Sequence, residues 1–388
     1  MITHIYKLIW NKKKQNFLLL LEIFISFLVL FVTFFNIIGF YNLYTTPRGF
    51  DYKNVWSVNY GLPSGLNSRD SIAGQVDILK KMILSMPQVE NVCFSSNNIP
   101  YSNNEISNAV SYKGKDQSAT LYLTDKEYSR VLNMQMLSGN WAPAHRKGYS
   151  GVVINKMLKE KLFGTQNPIG QVITMGSDKL IVNGVAENAK LTGDYRSLGS
   201  IVFKILDSLD RDENYMLIKV RPSADAAFEA RLYKTMSNFS KNANIEIEHL
   251  EKKRITKNNF MIIPFSIIFL VVGFLIINVA LGIFGVLWYN INRRKSEIGL
   301  RRAVGASGSE ISRQVITEGL VLSTISLIAG TFFAIQFPLL NVDDIASEVY
   351  LKAIAFSVVF IYVLVVICSL YPARQAAYIY PSTALQED

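Results

Sequence analysis

Four runs of apolar residues, each long enough to cross a lipid bilayer, constrain this chain more than any other feature: residues 17–40, 260–291, 315–338 and 350–371. A helix rises ~1.5 Å per residue, so ~20 residues span the ~30 Å hydrocarbon core. The second run is longer than a crossing requires. Its first turns are expected to stand outside the bilayer, or the helix to tilt. The first run follows Lys12, Lys13 and Lys14, as the core of a signal peptide would. Its apolar stretch is too long for that role and no small-x-small cleavage site follows in residues 40–44, so an uncleaved anchor is expected.

Charge sets the expected orientation. Lys7, Lys12, Lys13 and Lys14 lie before the first run, and the connector from Arg293 to Arg313 carries six basic residues. The loop from Leu339 to Val349 has Asp343, Asp344 and Glu348 and no Lys or Arg. Short loops rich in Lys and Arg are retained inside, which places both termini in the cytoplasm and the acidic loop outside. The long segment between the first two runs is then extracytoplasmic. The expected order is a cytoplasmic amphipathic segment (1–16), a first span (17–40), an external domain with a stalk (41–259), a second span (260–291), a cytoplasmic connector (292–314), a third span (315–338), a short external loop (339–349), a fourth span (350–371) and a cytoplasmic tail (372–388). The net charge of +10 reflects this topology, and no aromatic-rich RNA motif or zinc-finger spacing points to nucleic acid. The fold class is therefore an α-helical membrane protein with a large α/β extracytoplasmic domain inserted between its first two spans.

Within that domain the pattern is mixed. Strands are expected at Asn54–Asn59, Val89–Ser95, Ala119–Thr124, Gly151–Asn155 and Tyr215–Val220, with a hairpin of Gln171–Met175 and Lys179–Val185 over Gly176-Ser177-Asp178. Helices are expected at Arg69–Met86, Asp125–Leu132 with Asp125 as its cap, Asn155–Phe163 and Ala224–Ser237. The charged stretch Ile245–Asn259 reads as a stalk leading into the second span. Cys93 falls in the domain and Cys368 in the last span, so no internal disulfide is expected; more than two hundred residues can bury a core without one.

Chemistry is sparse. His4, His145 and His249 are scattered without metal-ligand spacing, and no catalytic residue or metal site is expected. Gly164-Thr165-Gln166-Asn167-Pro168-Ile169-Gly170 superficially approaches a phosphate loop but is followed by Gln171-Val172, and reads as a turn. The connector is more informative. Glu297 and Arg301 stand i, i+4 in the favourable order for a helix-supporting ion pair. Gly305 can end that helix, and Ser307 with Glu310 forms a capping box that opens the next. A topogenic loop would account for the arginines, but not for the break at Gly305 or for Ile298, Leu300 and Val304 among the charges. Inside the spans, Glu22 and Glu318 are the acids, each near the expected cytoplasmic end. An intramembrane carboxylate is a candidate functional group, and snorkelling to the interface explains these two about as well.

The connector, Arg294-Lys295-Ser296-Glu297-Ile298-Gly299-Leu300-Arg301-Arg302-Ala303-Val304-Gly305-Ala306, resembles that of the MacB/FtsX-like family of ABC transporter permeases. Glu318-Gly319-Leu320 with Gly330, and the ending Tyr371-Pro372-Ala373-Arg374-Gln375-Ala376-Ala377 with Pro381 and Ala384-Leu385, are also similar to that family. Outside, Phe163-Gly164, Asn167–Gln171 and Val182–Val185 resemble its periplasmic core. The resemblance implies a machine in which Arg294, Glu297, Ile298, Gly299, Arg301, Arg302, Gly305 and Ala306 receive the push of an ATPase. No phosphate loop occurs in these residues, so an ABC ATPase subunit is expected as a separate partner, holding ATP and magnesium, with no cofactor bound by this chain. The family further implies a homodimer or a pair with a related permease in the inner membrane, among lipid, with a possible periplasmic adaptor and outer-membrane duct.

Three classes of function stay open: export of peptides, lipoproteins or toxic compounds; an FtsX-type transmembrane regulator of envelope processes; and a membrane-anchored binding protein without an ATPase. The large external domain favours the first.

Overall fold

A computed structural model describes residues 13–60, 69–143, 148–206, 215–239, 244–340 and 346–379. Lys7, Lys12, His4, His145, Asp343, Asp344, Pro381, Ala384 and Leu385 lie outside the described residues. The chain divides into an α/β unit, residues 43–262, and a helical unit formed by residues 1–42 and 263–388.

The α/β unit is built on one sheet with two parts. The first part contains β1 (Val55–Asn59), α2 (Arg69–Leu84), β2 (Val89–Ser95), β10 (Tyr215–Val220), α5 (Ala226–Phe239) and β11 (Glu246–His249). Its four strands run antiparallel in the order β11-β1-β10-β2. This is the split β-α-β arrangement of ferredoxin-like folds. Alternation along each strand separates its faces. Trp56, Val58, Val92, Phe94, Met216 and Ile218 pack under Ile72, Val76, Leu79 and Ile83 of α2 and Phe228 and Leu232 of α5. Val55, Cys93 and Leu217 face the other way, into a second cluster with Tyr101, Tyr122 and Phe203.

The second part is inserted between β2 and β10. It comprises β3 (Ser107–Tyr112), β4 (Lys115–Thr124), α3 (Tyr128–Val131), β5 (Met136–Gly139), β6 (Ser150–Asn155), α4 (Lys156–Phe163), β7 (Val172–Met175), β8 (Asp178–Ala186) and β9 (Ile201–Ile205). The order β4-β3-β7-β8-β6-β9 closes on itself through parallel pairing of β4 with β9, a ring of strands with β5 added beside β8. Asn155 caps α4: its side chain accepts from Leu158 N and from Ile201 N, while its amide donates to the Asn188 side chain and the Gly199 carbonyl. One residue thereby ties the α4 start to β9 and to the loop before it.

Several expectations are corrected here. The short helix near residue 128 starts after Glu127, and Asp125 holds the preceding turn by accepting from Glu127 N. The hairpin is tighter than its sequence suggested: Met175 pairs with Asp178, leaving Gly176 and Ser177 as the two-residue loop. The stretch from Ile245 to Asn259 is not all stalk, because Glu246–His249 is an edge strand paired with β1.

The helical unit holds α1 (Lys13–Thr45), α6 (Leu250–Arg293), α7 (Lys295–Ala303), α8 (Gly308–Ala334), α9 (Gln336–Leu339) and α10 (Ser347–Ala377); the ends of α1 and α6 extend into the α/β unit. Among the described residues, four helical segments are long and apolar enough to cross a membrane: Phe17–Thr45, Leu250–Arg293, Gly308–Leu339 and Ser347–Ala377. The third run is interrupted, since α8 ends before Ile335 and Pro338 sits in the separate turn of α9. Small residues mark the close approaches expected where lipid supplies no hydrophobic drive between helices. A Cβ on Gly330 would come within 2.4 Å of Phe27 Cδ1, and one on Gly319 within 3.2 Å of Ser369 Oγ. Ser326 Oγ donates to the Leu20 carbonyl across helices at 2.9 Å.

Candidate coupling site

The chain between α6 and α8 is a helix held at both ends by local geometry. Arg294 leaves the helical region at φ −110°, ψ 17°, which breaks α6 from α7. At the other end Gly305 N–H bonds the Arg302 carbonyl and Ala306 N–H the Arg301 carbonyl, with Gly305 at φ 106°. This is a Schellman closure, and its positive φ is why glycine stands there. The expected capping box follows: Ser307 Oγ accepts from Glu310 N at 3.3 Å, and Glu310 Oε2 accepts from Ser307 N at 2.8 Å.

Side chains then tie α7 to α8. Arg301 Nη2 meets Glu297 Oε1 at 2.6 Å, the expected i, i+4 pair. The same guanidinium reaches Gln314 Oε1 at 2.9 Å through Nη1. Gln314 donates to Glu318 Oε1 at 3.0 Å, and Glu318 takes Arg294 Nη1 on both oxygens, at 3.2 and 3.1 Å. Arg294, Glu318, Gln314, Arg301 and Glu297 thus form one continuous polar chain. It spans α7 from the residue before it to its last turn, and it seats two rungs, i and i+4, of α8. Beneath it Ile298 packs with Ile291, Ile311, Val315, Ala373 and Ala376, and Ala306 lies against the same cluster. Gly299 is buried, and Arg302 Nη1 closes onto the Ala306 carbonyl at 3.1 Å.

The outward face is different. Leu300 is 55% and Val304 82% exposed, and Glu297 is exposed beside them. The helix therefore has one face held against α8 and another that shows two apolar side chains and a carboxylate.

The structure separates the two intramembrane acids. Glu318 is the centre of the connector network. Glu22 of α1 instead lies directly on the backbone of α6, where a Cβ on Gly282 would fall 2.0 Å from Glu22 Oε1. Among the described residues no cation pairs with Glu22.

Sequence reasoning missed a second polar centre, Asp194, in the α/β unit. Its side chain is 1% exposed and meets Arg48 Nε at 3.1 Å and Arg254 Nη2 at 2.6 Å. Asn258 donates to Oδ2 at 2.9 Å, and Lys190 Nζ donates to the Asp194 carbonyl at 3.0 Å and also to the Leu43 carbonyl. Arg254 stacks 4.9 Å over the Tyr52 ring. Burial alone would raise the Asp194 carboxyl; the hydrogen bonds from Arg254, Asn258 and Arg48 outweigh it and hold the group below the usual carboxylate range. Burial drives the Lys190 amine below its ordinary value, against the pull of Asp194. The cluster gathers the end of α1, the segment after it and the start of α6 onto one loop. No local pattern announces it, because Asp194 is 146 residues from Arg48 and 60 from Arg254.

Fold and site together define a polytopic membrane protein with an inserted α/β domain and a packed interhelical connector. A sequence model of the MacB-like periplasmic core domain matches residues 19–234, and one of the FtsX-like permease C-terminal matches residues 260–381. The chain belongs to the MacB/FtsX-like ABC permease family, and its inserted domain is the family's extracytoplasmic one. It is similar to the pyoverdine export ATP-binding/permease protein PvdT of Pseudomonas aeruginosa, 26% identical over 353 residues that cover 86% of this chain and 50% of that protein. It is also similar to the macrolide export ATP-binding/permease protein MacB of Neisseria gonorrhoeae, 24% identical over 304 residues covering 72% of this chain and 45% of that one. The chain spans about half the length of the curated relatives it matches. Among solved structures, the periplasmic region of MacB from Actinobacillus actinomycetemcomitans aligns with 56% of this chain and 98% of its own, at 15% identity and a TM-score of 0.38.

Proposed function

We propose that this chain is the permease component of an ABC exporter in the inner membrane, with both termini and the connector cytoplasmic. A partner ABC ATPase, carrying ATP and magnesium, docks on the outward face of α7. The observation that carries this reading is the two-sided connector. Its inner face is fixed to α8 by the Arg294–Glu318 network, and its outer face leaves Leu300 and Val304 exposed for a partner, beside the Glu297 carboxylate that pairs with Arg301. A push on such a helix moves the helices it joins rather than deforming a loop. Two permease copies, or this chain and a related permease, would pair over an ATPase dimer, and motion would reach the external domain through α6. The names of the two relatives above make export the favoured use, with peptides, lipoproteins or toxic compounds as substrate classes. A periplasmic adaptor and an outer-membrane duct are compatible partners.

The test is co-purification. Pulled from detergent-solubilised membranes of cells that also express the candidate ATPase, the full chain is expected to bring that ATPase with it, and magnesium-dependent ATP hydrolysis should track the ATPase band. Equal turnover by fractions without that band, or recovery of the chain without any ATPase, contradicts the reading.

A further inference from the structure

The connector does not account for a cavity of about 400 Å³ at the other end of α6, whose lining lies wholly within the α/β unit. One wall is the first turns of α6, from Lys252 to Phe260; the others are β11, the start of β10 and the loop after β2. The volume falls in the ~300–1,000 Å³ range of small-molecule sites. Ile99, Tyr215, Ile247 and Phe260 give it apolar surface, and cations stand among them.

The charges there are unevenly matched. Glu248 is taken by Lys253, and Glu229 by His249, whose Nε2 lies 3.1 Å from it. Lys257 is held by neutral acceptors instead, the Ser102 carbonyl and Asn103 Oδ1, both at 2.9 Å. Among the described residues Lys252 has no carboxylate partner. With a neutral imidazole Glu229 keeps its charge, and Glu105 acts on Lys257 from nearby, yet the lining still carries three lysines, Lys252, Lys253 and Lys257, against two glutamates, Glu229 and Glu248. The loop opposite them carries a strained residue: Tyr101 sits at φ 63° with a side chain only 3% exposed. A bulky aromatic in the left-handed region is uncommon, and such strain gathers at ligand clamps and switches. The Tyr101 hydroxyl is 3.5 Å from Asp194, so the same residue faces both the cavity and the centre that grips α6.

We propose that this cavity binds an organic anion, a carboxylate on an apolar body, with Lys252 and Lys257 receiving the charge and Ile99, Tyr215, Ile247 and Phe260 the body. A ligand there rests on the first turns of α6, the helix that ends at the connector. Occupancy would be read as a firmer seating of α6 on the external domain. The site is thus an input on the outer side of the membrane, separate from the ATPase docking face.

The full chain in lipid nanodiscs, without any ATPase, tests this, so that its outcome is independent of the coupling reading. The probe is 3-(4-fluorophenyl)propionate, followed by fluorine NMR against empty nanodiscs up to ~10 mM, where fragments of this size bind. Saturable line broadening is expected, about tenfold weaker for the uncharged amide of the same probe. Lys252→Glu, at an exposed position, is expected to weaken binding about tenfold or more. Thr256→Trp, which fills the cavity from an exposed site on α6, is expected to abolish it, both variants keeping the wild-type unfolding temperature. Broadening no greater than in empty nanodiscs, equal binding of acid and amide, or wild-type binding by either variant overturns the proposal.

Discussion

Asp194 shows how much one side chain can settle. A carboxylate buried to 1% is tolerable only when its partners are fixed, and here two guanidiniums and an amide converge on it. Asp194→Asn keeps the shape and removes the charge, leaving Arg48 and Arg254 without their anion. Breaking a buried pair costs ~3–5 kcal/mol, and since both arginines keep some contact with water, about 2–3 kcal/mol is expected here. The pH dependence has a definite sign. The folded-state carboxyl titrates below its unfolded value of about 4, so its contribution is complete above that pH and is lost as pH falls through the lower folded-state value. Unfolding of the full chain in detergent, followed by tryptophan fluorescence between pH 2 and 7, should therefore show a steeper acid loss in the wild type than in Asp194→Asn. Parallel curves would mean that the cluster carries no net electrostatic stabilisation. Asp125 works in the opposite sense: burial pushes its carboxyl up although Lys80 lies 3.1 Å away.

At the scale of elements, α7 is defined by what fixes it. If the polar chain seats it on α8, removing either end of the Arg294–Glu318 pair should free the whole helix. Arg294→Ala and Glu318→Ala are each expected to raise hydrogen exchange of the α7 amides about tenfold. The double variant should be little worse than either, because residues in one network share a coupling of ~0.5–3 kcal/mol. Additive effects would mean that the two side chains act separately. Much of this element was legible in sequence, because its signals are local. Glu297 to Arg301, the break at Gly305 and the Ser307–Glu310 box all lie within one or two turns. The link from Arg294 to Glu318 was not legible, since it crosses between helices 24 residues apart. In the α/β unit the strands β3, β5, β9 and β11 escaped for related reasons. Met136–Gly139 and Glu246–His249 are only four residues each, too short for alternation to register. Ile201–Ile205 is buried at four of its five positions, so it shows a run rather than a period.

For the whole molecule, hydropathy carried the architecture: four apolar runs with one long insertion leave little freedom, and four helices among the described residues are long and apolar enough to cross a membrane. The two-part sheet, with its closed ring of strands, was not visible, because register and closure depend on pairings such as Thr120 with Ile201 that sequence alone does not encode. The central claim is mechanical: the outward face of α7 transmits an ATPase partner's motion. The most direct measurement is ATP hydrolysis by the ATPase reconstituted in nanodiscs with wild-type chain or with Glu297→Lys, at equal occupancy. Losing the Glu297–Arg301 pair costs only a few tenths of a kcal/mol at this exposed site, too little to unfold the chain. The charge offered to the partner is nevertheless reversed, and mismatched charge at an interface is costly. The wild-type chain is expected to alter the ATPase's turnover, and Glu297→Lys to assemble or insert normally while leaving turnover at the value of the ATPase alone. Identical turnover with both chains would show that α7 is a topogenic loop and not a coupling element.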